Sequence, residues 1–320
     1  MKRKLKITAL ILCLMMALAS LSACEFLPKP IKFYNDGDAV TITLNYNDGT
    51  TVGTLDAVIG EPINTPNDPT RTHYVFTGWF TDENLTARYD FAKDVTREFT
   101  LYAGWVLDGV TLTNTISTQT MKGVVKIENV CQVGLNQKGS QGSGFCFKIS
   151  AGRYYVLTNS HVVEKLTGAY SQTFKIYDYQ GNDFTGTLVA DSPSQDLACL
   201  YFSATADDTE TIALPLASSP KVNDDVIALG APLGQVNCIT FGKVTAINVA
   251  VAVGEENPTT FYGNTRHTAF TDHGSSGGPL INPDMQVVGV TFAGNEETKI
   301  GYALPMTAVN NFLETYVYTN

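Results

Sequence analysis

The sequence predicts a mainly β chain closed by one helix, and three observations predict it. Val40-Thr41-Ile42-Thr43-Leu44 alternates apolar and polar side chains ahead of the turn signal Asn47-Asp48-Gly49. Between residues 119 and 304, apolar, β-branched and aromatic runs such as Tyr154-Tyr155-Val156-Leu157, residues 197–202 and Val287-Val288-Gly289-Val290-Thr291 end in small polar residues or glycine, as strands do at turns. After Pro305 the period changes. Val309, Phe312, Leu313, Tyr316 and Val317 recur at i, i+3, i+4, i+7 and i+8, and proline suits a first helical turn.

At the amino end, Met1-Lys2-Arg3-Lys4-Leu5-Lys6 precedes the apolar residues 7–21 and then Leu21-Ser22-Ala23-Cys24. A basic start, a short apolar stretch and small residues before a cysteine read as a lipoprotein signal peptide over residues 1–23. The stretch is short for a membrane span. Cys24 is then the lipidation residue, and two acyl chains on it give stable attachment where one would not. The expected address is the extracytoplasmic face of a bacterial cell membrane, with residues 24–38, including Pro28 and Pro30, as a lipidated tether. Loss of the leader removes four cations and no acid, leaving 17 Lys and Arg against 31 Asp and Glu, a balance of −14. Nucleic-acid binding, which needs a basic face, is excluded, and the polypeptide has no attraction of its own to anionic lipid.

Residues 39–106 read as a small β domain holding both tryptophans of the chain. Three stretches carry a resemblance: Tyr74-Val75-Phe76-Thr77-Gly78-Trp79-Phe80-Thr81-Asp82, Tyr89-Asp90-Phe91 and Leu101-Tyr102-Ala103-Gly104-Trp105. Together they resemble the internalin-type B-repeat, a β-grasp-like module of surface proteins. One copy implies a spacer or substrate-capturing role rather than array-type adhesion. Phe76, Trp79, Phe91 and Trp105 are expected to build its core, since a domain this small needs large apolar side chains to fold. Residues 107–118, with Thr111, Thr113, Thr115, Ser117 and Thr118, read as a polar linker.

Three motifs in residues 119–320 carry chemistry. Gly274-Ser275-Ser276-Gly277-Gly278-Pro279-Leu280 sets Ser276 among glycines, where backbone amides approach its hydroxyl. A serine needs a base and an orienting acid to act as a nucleophile. His161, in Thr158-Asn159-Ser160-His161-Val162-Val163, stands past a strand end, and Asp196, in Asp196-Leu197-Ala198-Cys199-Leu200, stands where a turn enters the next strand. In the order His161, Asp196, Ser276, these motifs resemble the trypsin-like serine peptidases, in the wording of the HtrA/DegP branch. Gly142-Ser143-Gly144-Phe145 and Ile300-Gly301-Tyr302-Ala303-Leu304-Pro305 echo the same branch.

The resemblance implies a chymotrypsin-like double β-barrel with a C-terminal helix, the barrels spanning about 119–205 and 220–304. It also implies a serine endopeptidase acting on polypeptides of the surface or misfolded proteins. His161 takes the Ser276 proton and returns it to the leaving amine, and Asp196 holds the imidazole tautomer. The amides of Gly274 and Ser276 form the oxyanion hole. His267 and His273 are rival bases, ranked below His161. No cofactor is implied, and no metal, since four histidines and the scattered cysteines lack HExxH or CxxC spacing.

Departures from the family pattern carry information too. Ser275 occupies the place of the aspartate that activates digestive zymogens, so activation by that salt bridge is not expected. Thr271-Asp272-His273 would be the rearranging loop ahead of the nucleophile. The substrate pocket is expected at Phe270 and Thr271, with Phe292, Ala293 and Gly294 as its wall and as an edge for an added substrate strand. A pocket floor without a carboxylate disfavours Arg or Lys and favours small or medium apolar side chains, with Asp272 able to overturn this.

Cys131 and Cys146 flank the turn-rich residues 134–144 and either face each other across a hairpin or remain buried thiols, as do Cys199 and Cys238. With the sequence ending at Asn320, the PDZ domain common in HtrA enzymes is expected to be absent. A second function, a catalytically silent peptide-binding or adhesion lipoprotein on a peptidase fold, stays open because a collapsed oxyanion loop would leave the three residues idle.

Overall fold

The computed structural model describes residues 32–318 apart from 50–51, 231–237, 255–257 and 271–273. The signal peptide, Cys24 and the loop Thr271-Asp272-His273 therefore lie outside the described residues. The chain divides into two compact units, one of residues up to Pro69 with Phe76–Trp105, the other of Thr70–Val75 with Val106–Asn320.

The smaller unit is a four-stranded sheet of β1 (Ala39–Asn45), β2 (Val52–Val58), β3 (Tyr74–Phe80) and β4 (Thr100–Leu107), in the order β2-β1-β4-β3. β1 runs antiparallel to β2 and parallel to β4, a β-grasp-like arrangement. The alternation read in β1 puts Val40, Ile42 and Leu44 inside, where they pack with Trp79, Leu101 and Ala103. Phe76 and Tyr46 each meet the Trp79 ring edge-on at 5.6 Å, a geometry that adds to the burial of aromatic area.

The larger unit opens with a helix where a linker was expected. α1 (Gly109–Thr118) is capped by the Asp108 carboxylate, which accepts from the Thr111 amide at 3.1 Å. Leu112 and Ile116, one turn apart, are fully buried in the core of this unit. The threonines are accommodated because their hydroxyls donate back to the preceding turn, as from Thr113 to Gly109 O at 2.7 Å. Two apolar residues in a threonine-rich run left too thin a stripe to read.

Two closed six-stranded barrels follow, confirming the mainly β expectation. The first comprises β5 (Val124–Val133), β6 (Asn136–Ser150), β7 (Arg153–Thr158), β8 (Ser171–Tyr177), β9 (Asp183–Ser192) and β10 (Leu197–Ser203). The second comprises β11 (Asp225–Gly230), β12 (Cys238–Val253), β13 (Thr259–His267), β14 (Pro279–Ile281), β15 (Val287–Asn295) and β16 (Ile300–Pro305). One core joins them: Phe145, Leu157 and Leu197 of the first barrel share a cluster with Ile227, Ile281 and Val290 of the second. A short α2 (Ser160–Val163) follows β7, and α3 (Met306–Phe312) runs on as a wider π turn, Leu313–Val317, closing the same core with Val309, Phe312 and Val317.

The β5–β6 register rules out the hairpin pairing of Cys131 with Cys146. Cys131 stands opposite Lys138, whereas Phe145 is already opposite Val124 at the far end of the ladder. Cys131, Cys146 and Cys199 are buried free thiols. Burial pushes the Cys146 and Cys199 thiols up to about 12, which leaves them unreactive at neutral pH.

Candidate active site

β7 ends at Thr158, and α2 turns the next residues so that His161 leaves the barrel. The helix end is tied down, the Asn129 and Gln172 amides donating to the carbonyls of Glu164 and Val163 at 2.7 Å each. Those carbonyls would otherwise lack intrahelical partners. On the neighbouring strand Asp196 enters β10 with a left-handed φ of 50°, a conformation that aspartate tolerates better than most residues. Its carboxylate accepts from His161 twice, at 3.0 Å from the backbone N–H and at 3.0 Å from Nδ1 to both oxygens. Asn159 Nδ2 donates to the Asp196 carbonyl at 2.9 Å and fixes that backbone. The Asp196 side chain is 7% exposed and that of His161 46%. A buried acid thus orients a half-exposed imidazole and, by accepting from Nδ1, leaves the ring's lone pair on Nε2.

Ser276 arrives from the second barrel, and the first barrel holds its loop. Ser143 N–H donates to the Ser276 carbonyl at 2.8 Å, and Ser143 Oγ donates to the Gly274 carbonyl at 2.7 Å. A Cβ on Gly142 would lie 2.5 Å from Val162 Cγ2 and 3.0 Å from the Ser276 carbonyl oxygen, so this one glycine fills the gap between the histidine helix and the serine loop. A Cβ on Gly277, where φ is +86°, would lie 2.2 Å from both Ser143 O and Thr158 Oγ1. Only glycine fits there, sterically and in dihedral. On its other side the loop is laced to β15 by Gly277 N–H to Thr291 O at 2.8 Å and Thr291 N–H to Gly278 O at 2.9 Å.

Gly274 has a φ of +94°, and Ser275 is fully buried with no partner for its hydroxyl among the described residues. Ser276 Oγ forms no hydrogen bond among the described residues. Such contacts commonly tighten only when substrate is bound. Thr271 and Cys24 lie outside the described residues, as does the rival base His273. The other rival, His267, is fully buried in β13, and burial pushes its imidazole down to about 4. It cannot meet a substrate.

The described residues expected to form the pocket lie on two segments. Phe292 is buried and stacks edge-on with Phe261 at 5.6 Å, Ala293 and Gly294 continue along β15, and Phe270 precedes the serine loop. β15 pairs with β16 from Gly289 to Asn295, but its other edge beyond Thr291 has no strand against it among the described residues. A cleft of about 530 Å³ opens beside His161, lined by Asp191, Pro193, Val253, Phe261 and Phe292. Ser143, Thr158 and Asn159 were not singled out from the sequence, although each lies within a quoted motif. Their contacts span 15 to 131 residues and have no local signature.

Chemically, the arrangement offers an oriented imidazole with a free Nε2, a hydroxyl on a glycine-rich loop and an open strand edge. Residues 142–290 match the family described as trypsin-like peptidase domain, and residues 41–104 match the Listeria-Bacteroides repeat domain. Over 184 residues the chain is 33% identical to the serine protease Do-like HtrA of Bacillus subtilis, covering 55% of this chain and 39% of that protein. Over 185 residues it is 31% identical to the periplasmic serine endoprotease DegP of Escherichia coli, covering 55% of this chain and 35% of that protein. The chain thus spans well under half the length of these curated relatives. The crystal structure of the Rv3671c protease from M. tuberculosis in its active form is similar at 28% identity and a TM-score of 0.53, covering 66% of this chain and 87% of that one. Residues 142–290 are therefore a trypsin-like peptidase domain with HtrA/DegP-type relatives, preceded by a Listeria-Bacteroides repeat domain.

Proposed function

We propose that the protein is an extracytoplasmic, membrane-anchored serine endopeptidase that hydrolyses surface or misfolded polypeptides through His161, Asp196 and Ser276. The observation that carries this reading is the pair of 3.0 Å contacts from His161 Nδ1 to the buried Asp196 carboxylate, on the same barrel face that clamps the Ser276 loop. In the proposed reaction Nε2 removes the Ser276 proton as Oγ attacks the peptide carbonyl. The imidazolium formed is stabilised by Asp196 and then protonates the leaving amine. Neither Gly274 N–H nor Ser276 N–H donates to another described residue, which supports their use as the oxyanion hole. Each such donor is worth about 10²- to 10³-fold in rate.

The substrate would lie as an extended strand on the free edge of Phe292-Ala293-Gly294, donating and accepting main-chain hydrogen bonds. Relatives named serine protease Do-like HtrA and periplasmic serine endoprotease DegP support the polypeptide substrate and the extracytoplasmic site. Membrane attachment rests on the lipobox at Cys24. The test is hydrolysis of an unfolded protein such as reduced casein by the full chain. Wild type is expected to release peptides and Ser276→Ala to release none. Equal release from both would sink the reading.

One observation favours a second reading, a silent peptide-binding surface: Ser276 Oγ forms no hydrogen bond to His161 among the described residues. Binding of casein without cleavage, unaltered in Ser276→Ala, would establish it.

A further inference from the structure

Ser143 belongs to β6 of the first barrel, yet both of its donors serve the serine loop of the second. The residue is fully buried. Its N–H donates to the Ser276 carbonyl at 2.8 Å and its hydroxyl to the Gly274 carbonyl at 2.7 Å, while the Ser275 carbonyl between them accepts from Gly278 N–H at 2.9 Å. Three consecutive carbonyls of the loop are therefore tied. A peptide group is planar, so tying the Ser275 carbonyl also sets the direction of the Ser276 N–H in the same plane. Gly274 is different, because glycine does little to hold its own dihedrals. At its φ of +94° the angle between its N–H and its carbonyl is set by ψ, and the bond from the Ser143 hydroxyl holds that carbonyl in place.

The hydroxyl is itself seated from two sides. The Ser143 carbonyl accepts from Thr158 Oγ1 at 2.7 Å, at the end of the strand that leads to His161, and a Cβ on Gly230 at the end of β11 would lie 3.0 Å from Ser143 Oγ. Its task is separable from that of the backbone around it. The bonds of Ser143 N–H to Ser276, Gly277 N–H to Thr291 and Thr291 N–H to Gly278 are all between main-chain groups and do not need the side-chain oxygen. Among the described residues the Gly274 carbonyl has no other donor.

We propose that Ser143 is a positioning residue whose hydroxyl holds the Gly274 peptide in the orientation that stabilises the oxyanion. The inference rests on the serine peptidase reading, in which Gly274 N–H is one of the two donors to that oxyanion. A bond of this kind is felt when negative charge develops on the substrate oxygen and hardly at all in the bound ground state, so its loss lowers kcat and leaves KM alone.

The experiment measures kcat and KM for casein-derived peptides with the full chain, and the affinity of a peptide aldehyde and of the matching peptide alcohol. The aldehyde adds Ser276 Oγ across its carbonyl and places an oxyanion in the site, whereas the alcohol places none. In Ser143→Ala kcat is expected to fall about 10- to 100-fold at an unchanged KM, and aldehyde affinity to fall by the same factor while alcohol affinity holds. Ser143→Cys keeps the shape but donates only weakly, and is expected to show the same pattern. A wild type that is labelled at Ser276 by a fluorophosphonate and cleaves peptide, with both variants as fast as wild type, overturns the inference alone. So does an equal loss of affinity for aldehyde and alcohol, or a rise in KM that accounts for the lost activity. A wild type that neither labels nor cleaves overturns the peptidase reading and the inference with it.

Discussion

At the scale of single residues, the account turns on Asp196, because it alone orients both the backbone and the ring of His161. Asparagine tolerates the same left-handed backbone and nearly the same volume, so Asp196→Asn keeps the fold while offering Nδ1 the wrong partner. Its kcat is expected to fall about 10⁴-fold at an unchanged thermal midpoint. A fall of less than about 10-fold would show that the carboxylate is not needed to hold the tautomer. The contact of His161 with Asp196 was legible because each sits in a short motif whose residue types state their chemistry, and the proposed role of Ser276 rests on a motif of the same kind. The grip of Ser143 on the Gly274 carbonyl was not, because 131 residues separate donor from acceptor.

At the scale of elements, strands were easier to read than the helix that precedes the first barrel. Alternation in β1 and the apolar runs of β7, β10 and β15 announce themselves within five or six residues. α1 offers only Leu112 and Ile116 among threonines, which are weak helix formers, and its existence depends on the core that receives those two side chains. The helix is thus structural, and Leu112→Ala is expected to destabilise the larger unit by about 2–5 kcal/mol through the cavity left behind. Loss of the cap in Asp108→Ala is expected to cost about 1 kcal/mol. Chemical denaturation of both variants measures these effects. A Leu112→Ala variant as stable as wild type would mean the segment is the linker its composition suggests.

At the scale of the whole molecule, the larger unit is two barrels joined by one core, and its acid stability is set in part by a group with no catalytic task. Among the described residues His267 has no hydrogen bond of good geometry on either ring nitrogen, and burial pushes its pKa down from 6.5 to about 4, partly offset by the nearby Ala269 backbone. The unfolded chain therefore binds a proton that the fold refuses between those values. The contribution to stability is fully present above about pH 6.5 and is lost as pH falls toward 4, amounting to about 3 kcal/mol there. The slope of unfolding free energy against pH from 7 to 4.5 is expected to be shallower in His267→Gln, whatever that replacement costs in absolute stability. Parallel slopes would remove His267 from the account.

The double-barrel plan was legible through the motifs, since three short stretches in a fixed order specify a fold that no single strand does. The central claim is that Asp196 and His161 activate Ser276. Intact-mass measurement after exposure of the full chain to a fluorophosphonate tests it most directly. One adduct is expected on wild type at Ser276, far slower labelling in His161→Ala, and none in Ser276→Ala. A folded wild type that takes up no adduct, or one labelled at the same rate without His161, would contradict the claim.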